Sequence, residues 1–146
     1  MTAEPSRQRP LPDTNDPILY GFFEGTKKGE LSVQNCQDCS SMLWPPRVNC
    51  PRCASFSMGW TATNGKGNLF SWSRIHHTVL PYFAAKAPYV VAIIQLDDVP
   101  VRMIGELRSG NDTHLRLGTQ LVVSFEDLTP DCTLPYWTPA VEEPPS

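Results

Sequence analysis

The chain has 146 residues, a formal net charge of −3 and 15 prolines. This length is enough for one ordinary domain, or for a small metal-binding module joined to one compact β-domain. The acidic charge and the lack of a clustered basic stripe argue against a nucleic-acid-binding surface. No stretch of about eighteen apolar residues occurs, so we expect no membrane span, and the spread of the prolines argues against long helices.

The first segment, residues 1–15, is polar and rich in proline, which predicts a disordered tail. It contains no positively charged region followed by an apolar one, so we expect no secretory signal. The predicted compartment is therefore the reducing cytoplasm, where cysteines rarely form disulfides. A second short tail is predicted at residues 141–146.

A short helix is predicted within residues 16–30. Asp16 can cap its first turn, which would contain Pro17. An apolar face follows at helical spacing, formed by Ile18, Leu19, Phe22 and Phe23. A helix this short is not stable alone, so the face must be buried, either in the core of this chain or against a partner. In the second case Phe22 and Phe23 are partner-binding residues.

Four cysteines form the most informative motif, within a predicted metal-binding module at residues 31–60. They make two CxxC pairs separated by ten residues and are Cys36, Cys39, Cys50 and Cys53. Each CxxC can fold into a tight turn that aims both sulfurs at one point, and two such turns complete a tetrahedral site of four sulfurs. Zinc is the expected ion. An iron centre takes the same geometry, and residue spacing does not separate the two metals.

Other uses of these cysteines fit the sequence less well. Disulfides suit a secreted chain, and a redox thiol pair usually shows a single CxxC within a βαβ pattern. Because the module is too small for a core of its own, a metal would supply much of its folding free energy, on the order of 10 kcal/mol. We expect Trp44 and Trp60 to pack around the cluster. Glycine often follows the second cysteine of such turns, where φ is positive, but Ser40 and Ala54 occupy these positions.

Residues 61–140 carry a pattern of strands and turns. Strands rich in aromatic, aliphatic and β-branched residues are predicted at residues 69–80, 89–96, 101–107, 121–125 and 134–137. A loop is predicted at residues 111–118. About five short strands without a long helix suit a small closed barrel such as the OB-fold.

Several motifs in combination resemble a known family. In chain order they are GEL at Gly29–Leu31, CQDC, a WPPR turn at Trp44–Arg47, CPRC, GKG and APYVVAIIQLD. Over residues 16–140 the chain resembles the zinc-ribbon plus OB-fold proteins associated with acyl-CoA metabolism. The resemblance implies a mainly β fold, with a short N-terminal helix, a rubredoxin-like zinc ribbon and a five-stranded OB barrel.

The same resemblance implies a role as the companion subunit of a thiolase-like enzyme. Partners in the family include acetoacetyl-CoA thiolase with hydroxymethylglutaryl-CoA synthase, polyketide-type C-acyltransferases and the aldolases that shorten steroid side chains. The resemblance does not fix which of these partners applies. The implied substrate is an acyl-CoA that the complex binds jointly.

The segment between the first two predicted barrel strands exposes Tyr82, Phe83 and Lys86 in a loop bounded by prolines. A small barrel has difficulty burying such a segment. It is either a plain hairpin connection or a binding loop, because OB barrels bind through loops of this kind. As a binding loop, it would place Lys86 near a CoA phosphate and an aromatic ring near the adenine or a partner groove.

We identify no catalytic residues in the sequence. His76 and His77 are adjacent in a predicted strand, so their side chains should point to opposite faces. Cys132 has no neighbouring histidine or basic cluster that would activate it. We therefore expect a non-catalytic accessory subunit that helps to form or close the acyl-CoA site of a thiolase-like enzyme.

The expected reaction of the complex is carbon–carbon bond cleavage or formation, and a steroid side-chain aldolase complex is one specific hypothesis. Two other classes remain open. OB-folds and zinc ribbons also occur in nucleic-acid-binding proteins, although this chain lacks a basic patch. Iron in the four-sulfur site would instead make the chain an electron carrier.

Overall fold

The computed structural model describes residues 8–109 and 114–140. The predicted C-terminal tail and the first part of the predicted N-terminal tail lie outside the described residues. In chain order the elements are α1 Tyr20–Lys27, β1 Ser32–Cys36, β2 Met42–Leu43, β3 Met58–Ala62, β4 Lys66–Ile75, α2 Pro81–Lys86, β5 Tyr89–Leu96, β6 Arg102–Leu107, β7 Gln120–Thr129 and β8 Cys132–Pro139. None of the described helices has the length and apolar character needed to cross a membrane.

The strands form two sheets. The first is three-stranded with the order β2-β1-β3, and both of its strand pairs are antiparallel. The second is a closed barrel with the order β4-β5-β6-β8-β7, in which only the pair β6 and β8 is parallel. The predicted fold class is confirmed: the chain is mainly β, with a four-cysteine ribbon and a closed five-stranded barrel.

Strand β5 shows how the barrel is filled. Alternate residues from Val90 to Leu96 are buried, and the residues between them are only half-buried, because successive side chains of a strand point to opposite faces. Across the barrel, the Trp137 indole is 1% exposed. A Cβ atom at Gly105 would lie 2.7 Å from this ring, so the absence of a side chain there gives the indole its space.

The apolar face of α1 is buried within this chain. Phe22 and Phe23 are 9% and 5% exposed and belong to the same core cluster as the barrel residues. Leu31 and Val33, at the start of the ribbon, join this cluster too. Of the two environments considered for the helix face, the structure shows the chain's own core. One continuous core therefore connects the helix, the base of the ribbon and the barrel.

Helix α1 begins four residues later than the predicted cap, Asp16. The Asp16 carboxylate instead accepts a hydrogen bond from the Ile18 N–H at 2.8 Å, in a turn that precedes the helix. The helix ends where Gly29 takes a φ of +74° and its N–H donates to the Thr26 carbonyl oxygen at 3.0 Å. This is the left-handed termination that glycine favours.

The barrel differs from the predicted strands at both ends of β4 and in β7 and β8, and β4 begins at Lys66, three residues before its predicted start. Strand β4 stops at Ile75, and Pro81 begins helix α2 where a loop was predicted, since the fixed φ of proline suits a first helical turn. Strands β7 and β8 are longer than predicted because they pair as one hairpin almost to its tip, where Thr129 faces Cys132. Hydrogen bonds between the two strands thus extend them into polar residues that the apolar pattern left outside the predicted strands.

Candidate functional site

The two CxxC pairs fold into matching turns. The Cys36 N–H donates to the Ser41 carbonyl oxygen at 2.9 Å, and the Cys50 N–H donates to the Ser55 carbonyl oxygen at 2.8 Å. Within the first turn the Cys39 N–H also points at the Cys36 sulfur, 3.5 Å away. The same backbone arrangement thus occurs twice and directs the sulfurs of both pairs toward one point.

Ser40 and Ala54 occupy equivalent positions in these turns. Their φ angles are +62° and +61°, so both adopt the left-handed conformation that glycine usually supplies. The Ser40 N–H donates to the Cys36 carbonyl oxygen at 3.0 Å, and the Ala54 N–H donates to the Cys50 carbonyl oxygen at 2.9 Å. The turns therefore keep their geometry without glycine, at some cost in backbone strain.

The four sulfurs lie close enough together to hold one metal ion. The Cys36 and Cys53 sulfurs are 3.5 Å apart, the Cys39 and Cys50 sulfurs are 3.6 Å apart, and all four lie within 4.8 Å of one another. A tetrahedron with Zn–S bonds of about 2.3 Å has sulfur–sulfur edges of roughly 3.8 Å. The donor set and its spacing therefore fit a tetrahedral metal site.

The thiols of the cluster differ in acidity. Hydrogen bonds from the Ser41 side chain and backbone lower the pKa of Cys39 to about 6. The Ser55 backbone alone would lower the pKa of Cys53, but hydrogen bonding with Cys36 and desolvation raise it to about 12. Cys53 therefore keeps its proton near neutral pH in the absence of metal, and a bound metal must displace it.

The tryptophans lie away from the cluster, so the prediction that they surround it is wrong. The small apolar cluster there contains Leu43 and the ligands Cys36 and Cys50, with Met58 packed against it. Trp44 instead contacts the Phe22 ring, with 5.2 Å between the ring centroids, and Trp60 also packs against the main core. Packing of both indoles against the main core thus connects the ribbon to the rest of the fold.

The predicted binding loop forms helix α2. The rings of Tyr82 and Phe83 meet edge to face at 5.1 Å between centroids, and Phe83 lies 5.8 Å from the Tyr89 ring. No residue of α2 is fully buried. The aromatic pair thus stays partly accessible, as predicted, but on a short helix that the barrel supports.

Lys86 belongs to an ion-pair cluster that the sequence did not reveal. Its ammonium lies 3.2 Å from the Glu106 carboxylate, and the Arg108 guanidinium bridges Glu106 and Glu126. Arg9 approaches Glu126 at 3.4 Å. These residues come from distant parts of the chain, so no local motif signals the cluster. Beside it lies an open groove of about 640 Å³ whose walls include Lys86, Glu106 and Arg108.

The charges in this cluster shift one another's acidity. Burial would raise the pKa of Glu106, but hydrogen bonds and attraction from Arg108, with a contribution from Lys86, lower it below its usual value. Hydrogen bonding to Arg108 likewise lowers the pKa of Glu126. Both glutamates are therefore ionised near neutral pH. Lys86 forms an ion pair with Glu106. The ammonium is therefore less available for the predicted contact with a CoA phosphate.

The histidines and the fifth cysteine lie outside these sites. His76 and His77 follow the end of β4 and are both exposed, so the expectation that a strand turns them to opposite faces does not apply. Cys132 is 3% exposed, and burial raises the pKa of its thiol. It is therefore a neutral buried side chain.

Two family models match consecutive parts of the chain. Residues 23–59 match the model described as "ChsH2, rubredoxin-like zinc ribbon domain". Residues 60–126 match the model described as "ChsH2, C-terminal OB-fold domain". The two matches coincide with the four-cysteine ribbon and with most of the closed barrel.

Curated relatives include multi-subunit enzymes. A "Probable enoyl-CoA hydratase alpha subunit" of Thermomonospora curvata is 31% identical over 96% of this chain and 43% of its own length. A "3-oxo-4,17-pregnadiene-20-carboxyl-CoA hydratase alpha subunit" of Mycobacterium tuberculosis is 30% identical over 81% of this chain and 36% of its own length. This chain thus spans less than half of either relative.

Two further matches cover most of the related protein. A "DUF35 domain-containing scaffold protein" of Methanocaldococcus jannaschii is 30% identical over 66% of this chain and 67% of its own length. The solved structure "Ltp2-ChsH2(DUF35) aldolase" matches with a TM-score of 0.78 and 30% identity, over 91% of this chain and 100% of that one. The chain therefore belongs to the ChsH2/DUF35 family of zinc-ribbon and OB-fold proteins.

Proposed function

We propose that this chain is a non-catalytic accessory subunit that binds a thiolase-like enzyme and helps to form or close its acyl-CoA site. The observation that carries the proposal is the likeness, over the full length of the matched chain, to a structure whose name pairs a ChsH2(DUF35) protein with an Ltp2 aldolase. The partner would supply the reacting groups for carbon–carbon bond cleavage or formation. A steroid side-chain aldolase complex is the specific reaction that we favour.

Zinc is the metal that we propose for the four cysteines. The sulfur spacing fits a closed tetrahedral site, which leaves no open position for a substrate and is typical of structural zinc. The metal would fix the ribbon, while Cys36, Cys39, Cys50 and Cys53 would hold it as thiolates. A purified protein that is colourless would exclude the alternative of an iron electron carrier.

Helix α2 is the barrel surface that we propose to contact the partner near its acyl-CoA site. Tyr82 and Phe83 are partly exposed and contact each other edge to face, so they present one aromatic surface. Aromatic residues of this kind often dominate the affinity of an interface. Phe22 and Phe23 are buried in this chain, so any effect they have on partner binding would act through the position of α1.

Reconstitution with the partner tests the proposal. The chain is mixed with a thiolase-like protein from the same organism, complex formation is followed by light scattering, and turnover of acyl-CoA substrates is measured. We expect no turnover by the chain alone and turnover by the complex. Turnover by the chain alone that survives substitution of His76, His77 and Cys132 would contradict a non-catalytic role. Binding of single-stranded nucleic acid in place of the partner would favour the alternative class.

A further inference from the structure

A second groove lies between the ribbon and the barrel, on a surface that has no role in the proposed function. Its volume is about 480 Å³, and its walls include Met42, Trp44 and Arg47 from the ribbon side and Val101 and Arg102 from the barrel side. The residues lining this ribbon–barrel groove include two arginines and no acidic side chain. In a chain with a net charge of −3, this is a local concentration of positive charge.

Arg47, from the WPPR turn, is held by its backbone alone. The side chain of Gln34 is 3% exposed, and its oxygen accepts the Arg47 N–H at 2.7 Å while its nitrogen donates to the Arg47 carbonyl oxygen at 2.8 Å. Gln34 itself lies in the central strand β1. Within the described part of the chain the Arg47 guanidinium has no hydrogen-bond, ion-pair or ring partner. The fold thus fixes this residue and leaves its charge available.

Arg102 is oriented by its neighbours in a different way. Its Nε donates to the Gln95 side-chain oxygen at 3.0 Å, and its guanidinium lies 3.8 Å from the centroid of the Phe70 ring. Neither neighbour is a carboxylate, and no described residue forms an ion pair with Arg102. Planar guanidinium groups held in this manner are suited to bind carboxylates or phosphates with two hydrogen bonds.

We propose that the ribbon–barrel groove docks an acidic segment of the thiolase-like partner, with its carboxylates on Arg47 and Arg102. The proposal rests on the accessory-subunit function and specifies how the partner is recognised. Phosphate sites are commonly built from helix N-termini or backbone nests, whereas apolar side chains such as Met42, Trp44 and Val101 line this groove beside its arginines. Arginine, aromatic residues and methionine are enriched at protein interfaces. An apolar residue next to the carboxylates would contact Trp44 and Val101.

The main test uses calorimetry to measure how tightly the thiolase-like protein of the reconstitution experiment binds single variants of this chain. Arg47→Gln and Arg102→Gln remove one charge each at similar length. Arg116→Gln is the matched control, because Arg116 is exposed and its side chain forms no hydrogen bond, ion pair or ring contact with the described residues. We expect each groove variant to weaken binding about tenfold or more, and to reduce its salt dependence. The control should bind like the original chain.

The outcomes separate this inference from the proposed function. If the original chain binds the partner and the groove variants bind as well as Arg116→Gln, the docking proposal is wrong while the accessory function stands. Metal content and circular dichroism of each variant exclude a folding defect as the cause of weaker binding. If the original chain does not bind the partner, the proposed accessory function is wrong. Binding of acidic groups in the groove is then tested separately with small ligands.

Amide chemical shifts provide this test. A short capped peptide of alternating glutamate and leucine is titrated into the labelled chain, with the glutamine analogue as a control. We expect the glutamate peptide to shift the amides of Met42, Val101 and Arg102, and the glutamine peptide to shift them far less. Sodium diphosphate is titrated separately. Shifts with diphosphate and none with the glutamate peptide would overturn the proposal in favour of a phosphorylated ligand.

Discussion

The ribbon and the barrel are stabilised by different means, although one chain forms both. The barrel encloses a continuous apolar core, with Ile94 and Trp137 at 0% and 1% exposed. At the cysteine end of the ribbon, the buried apolar cluster consists of Cys36, Leu43 and Cys50. Apolar burial can hold the first region together, whereas the second has too little of it. The sulfur cluster must therefore supply the stability that the core provides elsewhere.

The largest expected effect is the loss of a metal ligand. Cys50→Ser should unfold the ribbon, since metal binding contributes on the order of 10 kcal/mol to the folding of such modules. Amide exchange would show the loss of protection in β1 and β3. Cys132→Ala is the matched control, because Cys132 is a buried thiol outside the cluster. If Cys50→Ser kept the protection of the control, the contrast between the regions would be wrong.

The second prediction concerns the barrel. Trp137→Ala should lower the free energy of unfolding by about 4 kcal/mol, because it leaves a large cavity in a packed core. Urea denaturation measures this change, with Trp72→Ala, a substitution of a 38% exposed tryptophan, as the control. Metal content should stay the same in both variants. A loss of metal from the folded Trp137→Ala protein would show that the two regions are not stabilised separately.

The third prediction concerns a surface outside both stabilising regions. Replacing Tyr82 and Phe83 with alanine should weaken binding of the thiolase-like partner by about 2 kcal/mol, as expected for aromatic anchors, and should hardly change unfolding or metal content. Calorimetry measures the affinity. Phe56→Ala serves as control, since Phe56 is a 75% exposed aromatic residue of the ribbon. Equal affinities for the double variant and the control would make α2 a plain connection between strands.

The smallest expected effect sharpens the account of the ribbon turns. Ala54→Gly should stabilise the chain by roughly 1 kcal/mol, because a left-handed φ is costly for alanine and not for glycine. Ala85→Gly in α2 is the control and should destabilise instead, since glycine weakens a helix. Thermal unfolding detects both changes. A destabilised Ala54→Gly variant would indicate that the turn is not strained.

Local sequence patterns predicted the sulfur site and most of the strands. The features that they missed depend on contacts between residues far apart in the sequence. The CxxC spacing indicated the sulfur site, and the apolar segment at residues 89–96 indicated β5 with the bounds that the structure has. Pairing of β7 with β8 extended both strands beyond their apolar parts. The ion-pair cluster joins Arg9 to Glu126, which are 117 positions apart. No single-sequence pattern marks such a pair.

The positions of the aromatic residues show the same limit. Trp44 and Trp60 lie near the cysteines in sequence, so proximity suggested that they surround the metal. The structure packs both against the main core, because α1 also packs against the ribbon and brings Phe22 to within 5.2 Å of Trp44. Whether a side chain packs within its own module or against a neighbouring one depends on tertiary arrangement. Hydrophobic pattern gives only the need for burial.

Metal analysis of the folded chain tests the central contrast most directly. The purified protein is checked for protected amides in β1 and β3 and analysed for its elements in the same sample. We predict one zinc ion per folded chain and no visible absorption from iron. A protein with a fully protected ribbon and no metal would contradict the account. It would show that the ribbon is stable without a metal, although its cysteine end has only a small apolar cluster.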